Sequence, residues 1–241
     1  MKLLALETAT EACSVALYLD GEVRERFEVA PRRHAELALP FAEALLAEAG
    51  IARTQLDAIA VGRGPGAFTG VRLGIALAQG IALALERPLV PVSTLAILAA
   101  AARADGPARI LAAIDARMGE VYVGAYGREG GHIVALDGER VLRPDQVALP
   151  LLAGEAGGDG AWQGVGTGFA AADGALVQHL SLQQVDAQAL PRAAVLARLA
   201  VAAHARGEAL APERVEPAYL RDNVALTLAE QQALRGKRAQ A

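Results

Sequence analysis

One unit occurs twice along this chain. Lys2 to Leu6 reads as a short buried strand, Glu7 to Ala12 as a polar turn and Cys13 to Leu19 as a second strand. Asp20-Gly21 is a hairpin signal, and Val23 to Val29 alternates as a third strand. After the break at Asp105-Gly106-Pro107 the order returns. Ile110 to Ile114 is a strand, Asp115 to Gly119 a polar turn, Glu120 to Tyr126 a strand, and His132 to Leu136 another beyond a turn at Glu129 to Gly131. Each copy is a three-stranded antiparallel meander with an acid at the head of its first turn. A duplicated meander restricts the chain to two related lobes, each a mixed sheet with helices in an α/β arrangement. The expected division is an N-terminal lobe over 1–104, a C-terminal lobe over 105–234 and a mobile polar tail over 235–241.

Between the copies lies a glycine-rich loop. Gln55 to Val61 reads as a strand, Gly62 to Gly74 holds the loop, and Val71 to Leu85 continues as a helix. That helix has two small-residue faces, Gly70/Gly74/Ala78 and Ala76/Gly80/Ala84. Glycine in a helix interior costs about 1 kcal/mol relative to alanine, so several together imply close approach of another element. His34 to Ala49 is a helix with Leu37, Phe41, Leu45 and Leu46 on one face; Pro40 is expected to kink it or delay its start. Leu89 to Val92 is a strand, and Ser93 or Thr94 caps a helix running to about Ala104. Trp162 to Gly168 reads as a second strand-to-glycine loop, Ala193 to Gly207 as a helix, Pro212 to Leu220 as extended and Val224 to Leu234 as a last helix.

The formal net charge of −4 argues against a chain that holds nucleic acid by itself. One cysteine, Cys13, excludes an intrachain disulfide. Read as 15 residues with Arg72 and Gln79 inside, the helix Val71 to Leu85 is too short and too polar to span a bilayer. No signal peptide precedes the first strand, and a cytoplasmic location without a membrane partner is expected.

The chemistry-bearing groups are sparse. Glu7, Thr8 and Thr10 in the first turn and Asp115 in the second are the residues that would orient a metal or cradle phosphate, an arrangement found in the actin-like ATPase and sugar-kinase fold. Glu11 adds a second carboxylate that repels phosphate unless a metal bridges the two. A working ATP site and a pair of structural turns both remain open at this point. The glycine loop is no Walker motif, because no Gly-Lys-Ser/Thr follows, and the dinucleotide fingerprint is matched only loosely by Gly62-x-Gly64-x-x-Ala67. An anion at the helix N-terminus, beside Arg63 or Arg72, stays open. His34, His132, His179 and His204 have no zinc spacing, Ser14 lies mid-strand, and no nucleophile–base pair is visible. No catalytic or metal residue is assigned.

Four segments in order carry a resemblance. Gly64-Pro65-Gly66-Ala67-Phe68-Thr69-Gly70-Val71-Arg72-Leu73-Gly74 resembles the GPGSFTGLRIG signature of the bacterial TsaB (YeaZ) family. Leu4 to Leu17, Ile114 to Tyr122 and Pro217-Ala218-Tyr219-Leu220-Arg221 are similar to its opening, its second-lobe hairpin and its P-x-Y-L-R segment. The resemblance implies two lobes of the actin-like ATPase and sugar-kinase fold without the metal-binding histidine pair of the related catalytic subunit TsaD. It implies a non-catalytic scaffold in the formation of threonylcarbamoyladenosine beside the anticodon of tRNAs reading ANN codons. Implied partners are a TsaD-like catalytic subunit and a TsaE-like ATPase, with tRNA met only through the complex and a homodimer when alone. No cofactor is required, and nucleotide binds at most weakly or at the complex interface. Glu7 stands where the family usually has Asp.

The expected partner surface is the pair of first-lobe helices, with His34, Leu37, Phe41, Phe68, Gly70, Gly74, Leu77, Ala78 and Ile81. On this reading Gly74→Leu or Ala78→Arg weakens pairing without unfolding the chain. The alternatives are an active ATPase or phosphotransferase of the same fold and, from the name glycoprotease given to relatives, a peptidase.

Overall fold

The computed structural model describes residues 1–150 and 161–221 of the 241-residue chain. Its first sheet begins with the expected meander: β1 (Lys2–Glu7), β2 (Ala12–Leu19) and β3 (Glu22–Val29) pair antiparallel. On the other side of β1 follow β4 (Ala58–Gly62) and β5 (Leu89–Val92), both parallel, giving the order β3-β2-β1-β4-β5. Gln55, expected to open the fourth strand, instead closes a 3-10 turn, Arg53–Gln55, where its side chain accepts the Ala52 amide at 2.8 Å.

Two-residue alternation splits β1 between two faces. Leu4 and Leu6 join one core with α1 (His34–Ala49) and α2 (Phe68–Leu85). Leu3 and Ala5 join another with α5 (Ala193–Ala205). The α1 helix runs unbroken through Pro40; the Glu36 carbonyl left without its amide belongs to an exposed residue, where water can satisfy it.

The second sheet repeats the first. β6 (Arg109–Arg117), β7 (Glu120–Glu129) and β8 (His132–Ala135) form the meander. The short strand β9 (Arg140–Leu142) also pairs with β7, while β10 (Trp162–Val165) and β11 (Gln184–Asp186) lie parallel beyond β6. The path β8-β7-β6-β10-β11 has the same pairing sense as β3-β2-β1-β4-β5, so the duplication in the sequence is a duplication of topology. Beyond β10, Gly166 and Gly168 lie against Ala113 and Ile114 of β6, the counterpart of the first-lobe glycine loop. A short helix, α4 (Ala175–His179), packs Leu176 on the outer face of this sheet.

Between the sheets lies α3 (Thr94–Ala101), while α5 packs on the first sheet and against α3. Ile97 of α3 enters the core of the first sheet, and Leu95, Leu98 and Ala99 enter that of the second. Ser93 caps α3 as expected, accepting from the Leu95 and Ala96 amides.

Two expectations are corrected. The second lobe does not keep residues 193 onward: α5 returns to the first sheet, where Ser14 and Glu25 receive its Ala193 and Ala194 amides at 2.9 and 3.0 Å and Arg192 pairs with Glu25. And α2 has 18 residues, starting at Phe68, which by length and composition suffices to cross a membrane; its inward stripe Gly70, Val71, Gly74, Ile75, Ala78 and Ala82 is buried in this chain's own core. The last expected helix and the tail lie outside the described residues.

Candidate functional site: a closed turn and an open helix face

The turn between β1 and β2 holds three of the four expected cofactor groups. Glu7 ends β1 opposite Ser14 and is only 1% exposed. Its Oε1 accepts the Ala9 amide at 2.7 Å. Its Oε2 has no hydrogen-bond partner among the described residues and lies against Gly62, where a Cβ would come within 1.9 Å of it. A larger residue at the end of β4 would have to displace the Glu7 carboxylate, the far end of a side chain. Burial pushes the Glu7 carboxyl up to about 7, against the smaller opposing effects of the Ala9 amide, the nearby Thr94 hydroxyl and the Thr8 amide.

The rest of the turn is occupied by the chain itself. Thr8 Oγ1 donates to the Gly70 carbonyl at 2.8 Å. The Ala67 amide donates to the Ala9 carbonyl at 2.7 Å, and the Ala30 amide to the Glu11 carbonyl at 3.0 Å. His34 Nε2 donates to the Thr10 carbonyl at 2.9 Å. The glycine loop therefore presses onto the turn it would have to leave open for a phosphate. The Thr10 and Thr94 hydroxyls are buried and unpartnered among the described residues.

Asp115 is not brought into this cluster. It lies on β6 rather than in a turn, and it receives both the Arg117 amide, at 2.8 Å, and the Arg117 guanidinium, at 2.7 Å. The turn proper is Arg117-Met118-Gly119, with φ of 64°, 58° and 76°. Among the described residues no hydrogen bond joins Asp115 to Glu7, Thr8 or Thr10, and no three His, Cys, Asp or Glu side chains converge as a metal set would. A groove of about 440 Å³ opens elsewhere, between the end of α2 and Ala209 to Pro212.

The expected partner residues separate into three groups. Gly70, Gly74 and Ala78 face inward: a Cβ at Gly70 would lie 2.1 Å from the Thr8 carbonyl, one at Gly74 would lie 2.4 Å from Thr8 Oγ1, and Ala78 is fully buried. The element that approaches this small face closely is the β1–β2 turn of the same chain. Gly74→Leu and Ala78→Arg would therefore disrupt the fold itself. His34 is likewise buried and holds Thr10. Leu37, Phe41, Leu77 and Ile81 are half-buried against the first core, at the margin of the two helices. Phe68 is exposed. The open face of α2 is the second small stripe, Ala76, Gly80 and Ala84, with Leu83 exposed beside it; a Cβ at Gly80 would meet nothing within 4 Å.

Sequence reasoning passed over a strap formed by residues 210–221. Leu210 bridges to Leu89, Gln79 Nε2 donates to the Pro212 and Val215 carbonyls, and the Ala218 amide donates to the Arg63 carbonyl. Arg72 donates to Tyr219 Oη at 3.0 Å, and Arg221 reaches the second lobe at the Ala116 carbonyl and Glu120. A second lobe-to-lobe contact joins the Ser93 and Tyr126 hydroxyls to Glu139 Oε1. The strap residues stand in two of the segments quoted above, but no periodicity pairs residues 147 positions apart.

The model of the family described as TsaD, tRNA N6-adenosine threonylcarbamoyltransferase, matches residues 27–228. A protein of Escherichia coli K12 named tRNA threonylcarbamoyladenosine biosynthesis protein TsaB is 46% identical, over 93% of this chain and 96% of its own. The chain belongs to the TsaB family. The TsaB protein of Haemophilus influenzae is 39% identical over 93% and 95% of the two chains. Among solved structures, YeaZ from Pseudomonas aeruginosa aligns with a TM-score of 0.83 at 48% identity, covering 91% of this chain and 99% of that one. The TsaB fold is thus the duplicated α/β architecture described above.

Proposed function

We propose that this chain is the non-catalytic scaffold of the assembly that forms threonylcarbamoyladenosine beside the anticodon of tRNAs reading ANN codons. The pathway follows from the names of its close relatives. The chain pairs with a TsaD-type catalytic subunit through the outer face of α1 and α2, and a TsaE-type ATPase docks on the pair. Alone it is a homodimer through the same face. It works in the cytoplasm, without a membrane, requires no cofactor, and meets tRNA only within the complex.

One observation carries the non-catalytic part: the β1–β2 turn spends the donors a phosphate would need, the Thr8 hydroxyl on the Gly70 carbonyl and the Ala9 amide on Glu7, within its own chain. The open face of α2 supports pairing, because exposed small residues flanked by Leu83 let a second helix approach closely. The test is co-purification with the TsaD-type subunit. Leu83→Arg is expected to abolish pairing while the isolated chain keeps its folded circular-dichroism spectrum as a monomer; unaltered pairing would defeat the assignment of this face.

A second reading, an ATPase or phosphotransferase, is favoured by the three buried polar atoms left unpartnered on Glu7, Thr10 and Thr94. Metal-dependent ATP binding with turnover by the isolated chain would select it.

A further inference from the structure

Phe68, Tyr219 and Met118 are among the most exposed apolar side chains of the described residues, at 68%, 62% and 87%. They lie on one continuous ridge. The Arg72 guanidinium stacks on the Phe68 ring at 3.4 Å and faces the Tyr219 ring at 5.1 Å. Two residues on, Arg221 Nη1 reaches Met118 Sδ at 3.7 Å. The ridge thus runs from the N-terminal end of α2, across the strap, to the tip of the β6–β7 turn in the second lobe.

We infer that this ridge is a second docking surface, separate from the open face of α2, for a partner protein that presents a carboxylate flanked by apolar side chains. This rests on the scaffold reading. Three observations carry it. Its composition of Phe, Tyr, Met and Arg is that of interface centres rather than of ordinary surface. Arg72 has no carboxylate partner among the described residues: its hydrogen bonds go to the Phe68 carbonyl and Tyr219 Oη. Arg221 and Arg117, by contrast, are already neutralised by Glu120 and Asp115. One preorganised cation between two exposed rings is therefore left to be met from outside. Finally, Met118 is held outward by left-handed backbone at both Arg117 and Met118, a conformation non-glycine residues rarely adopt.

The same features argue against a second copy of the chain. Among the described residues the carboxylates beside the ridge, Glu120 and Asp115, already hold Arg221 and Arg117, so a two-fold contact through the ridge would leave Arg72 unmet.

The test uses the full chain assembled with the TsaD-type subunit and titrated calorimetrically with the TsaE-type ATPase as probe. Arg72→Glu is expected to weaken that binding at least tenfold, Arg72→Lys to weaken it less, and Tyr219→Ala and Met118→Ser to weaken it measurably, all with the pair intact. Binding unchanged in Arg72→Glu overturns the inference, and so does loss of the pair itself in that variant, which would merge the ridge with the α2 face. Failure of the unaltered chain to pair at all is a failure of the scaffold reading instead.

Discussion

At the scale of the residue, Glu7 controls the character of the first-lobe turn. Its carboxyl is raised from 4.5 to about 7 because burial removes water that two amides and a nearby hydroxyl do not replace. The folded chain therefore binds this proton more tightly than the unfolded chain does. Glu7's contribution to stability is complete below pH 4.5 and is lost as the pH rises towards 7, by about 3 kcal/mol at roughly 1.4 kcal/mol per unit. Glu7→Gln should remove that slope. Urea unfolding at pH 5 and pH 8 should show a stability difference about 2 kcal/mol smaller in the variant than in the parent. An unchanged difference would mean that Glu7 is hydrated. Gly70 is a second single-residue control, since a methyl there would meet the Thr8 carbonyl, which is backbone and cannot rotate away. Gly70→Ala is expected to cost about 1–3 kcal/mol in urea unfolding, although alanine is the better helix former.

Among the elements, α2 carries two small-residue stripes with opposite fates. Gly70, Gly74 and Ala78 face the β1–β2 turn and β4, while Ala76, Gly80 and Ala84 face outward. The sequence announces both stripes, since only close approach explains so much glycine. Which stripe serves the chain and which is free depends on where the turn falls across the sheet, and that contact spans more than sixty positions. Helix rotation is therefore not legible from spacing, whereas the meanders, the Ser93 cap and the second glycine loop are, because each is fixed by neighbours in sequence. The stripes differ in their response to bulk. Gly74→Leu should lower the melting temperature of the isolated chain sharply, and Gly80→Leu should leave it folded, as a monomer, while blocking copurification with the TsaD-type subunit.

For the whole molecule, the duplication left two sheets of equal topology, but the two turns diverged. In the first lobe the acid is buried under the glycine loop; in the second, Asp115 holds Arg117. The lobes are joined by α3, by Glu139 with Ser93 and Tyr126, and by the strap that ends at Arg221. The return of α5 and the strap to the first lobe was hidden in the sequence, since an alanine-rich helix packs on any small-residue sheet and Ser14 reads as an ordinary strand serine. Removing the strap's anchor should loosen the second-lobe turn it holds. In Arg221→Ala, amide exchange at residues 116–120 is expected to quicken, with β1 and β4 unaffected.

The central claim is that this chain contributes a surface and not a reaction. It is tested most directly by threonylcarbamoyladenosine formation in an assembly reconstituted with the TsaD-type and TsaE-type subunits. The account predicts that Glu7→Gln combined with Asp115→Asn sustains the modification at the parent rate, and that Leu83→Arg abolishes it. Loss of activity in the carboxylate variant with assembly intact, or full activity in Leu83→Arg, would contradict it.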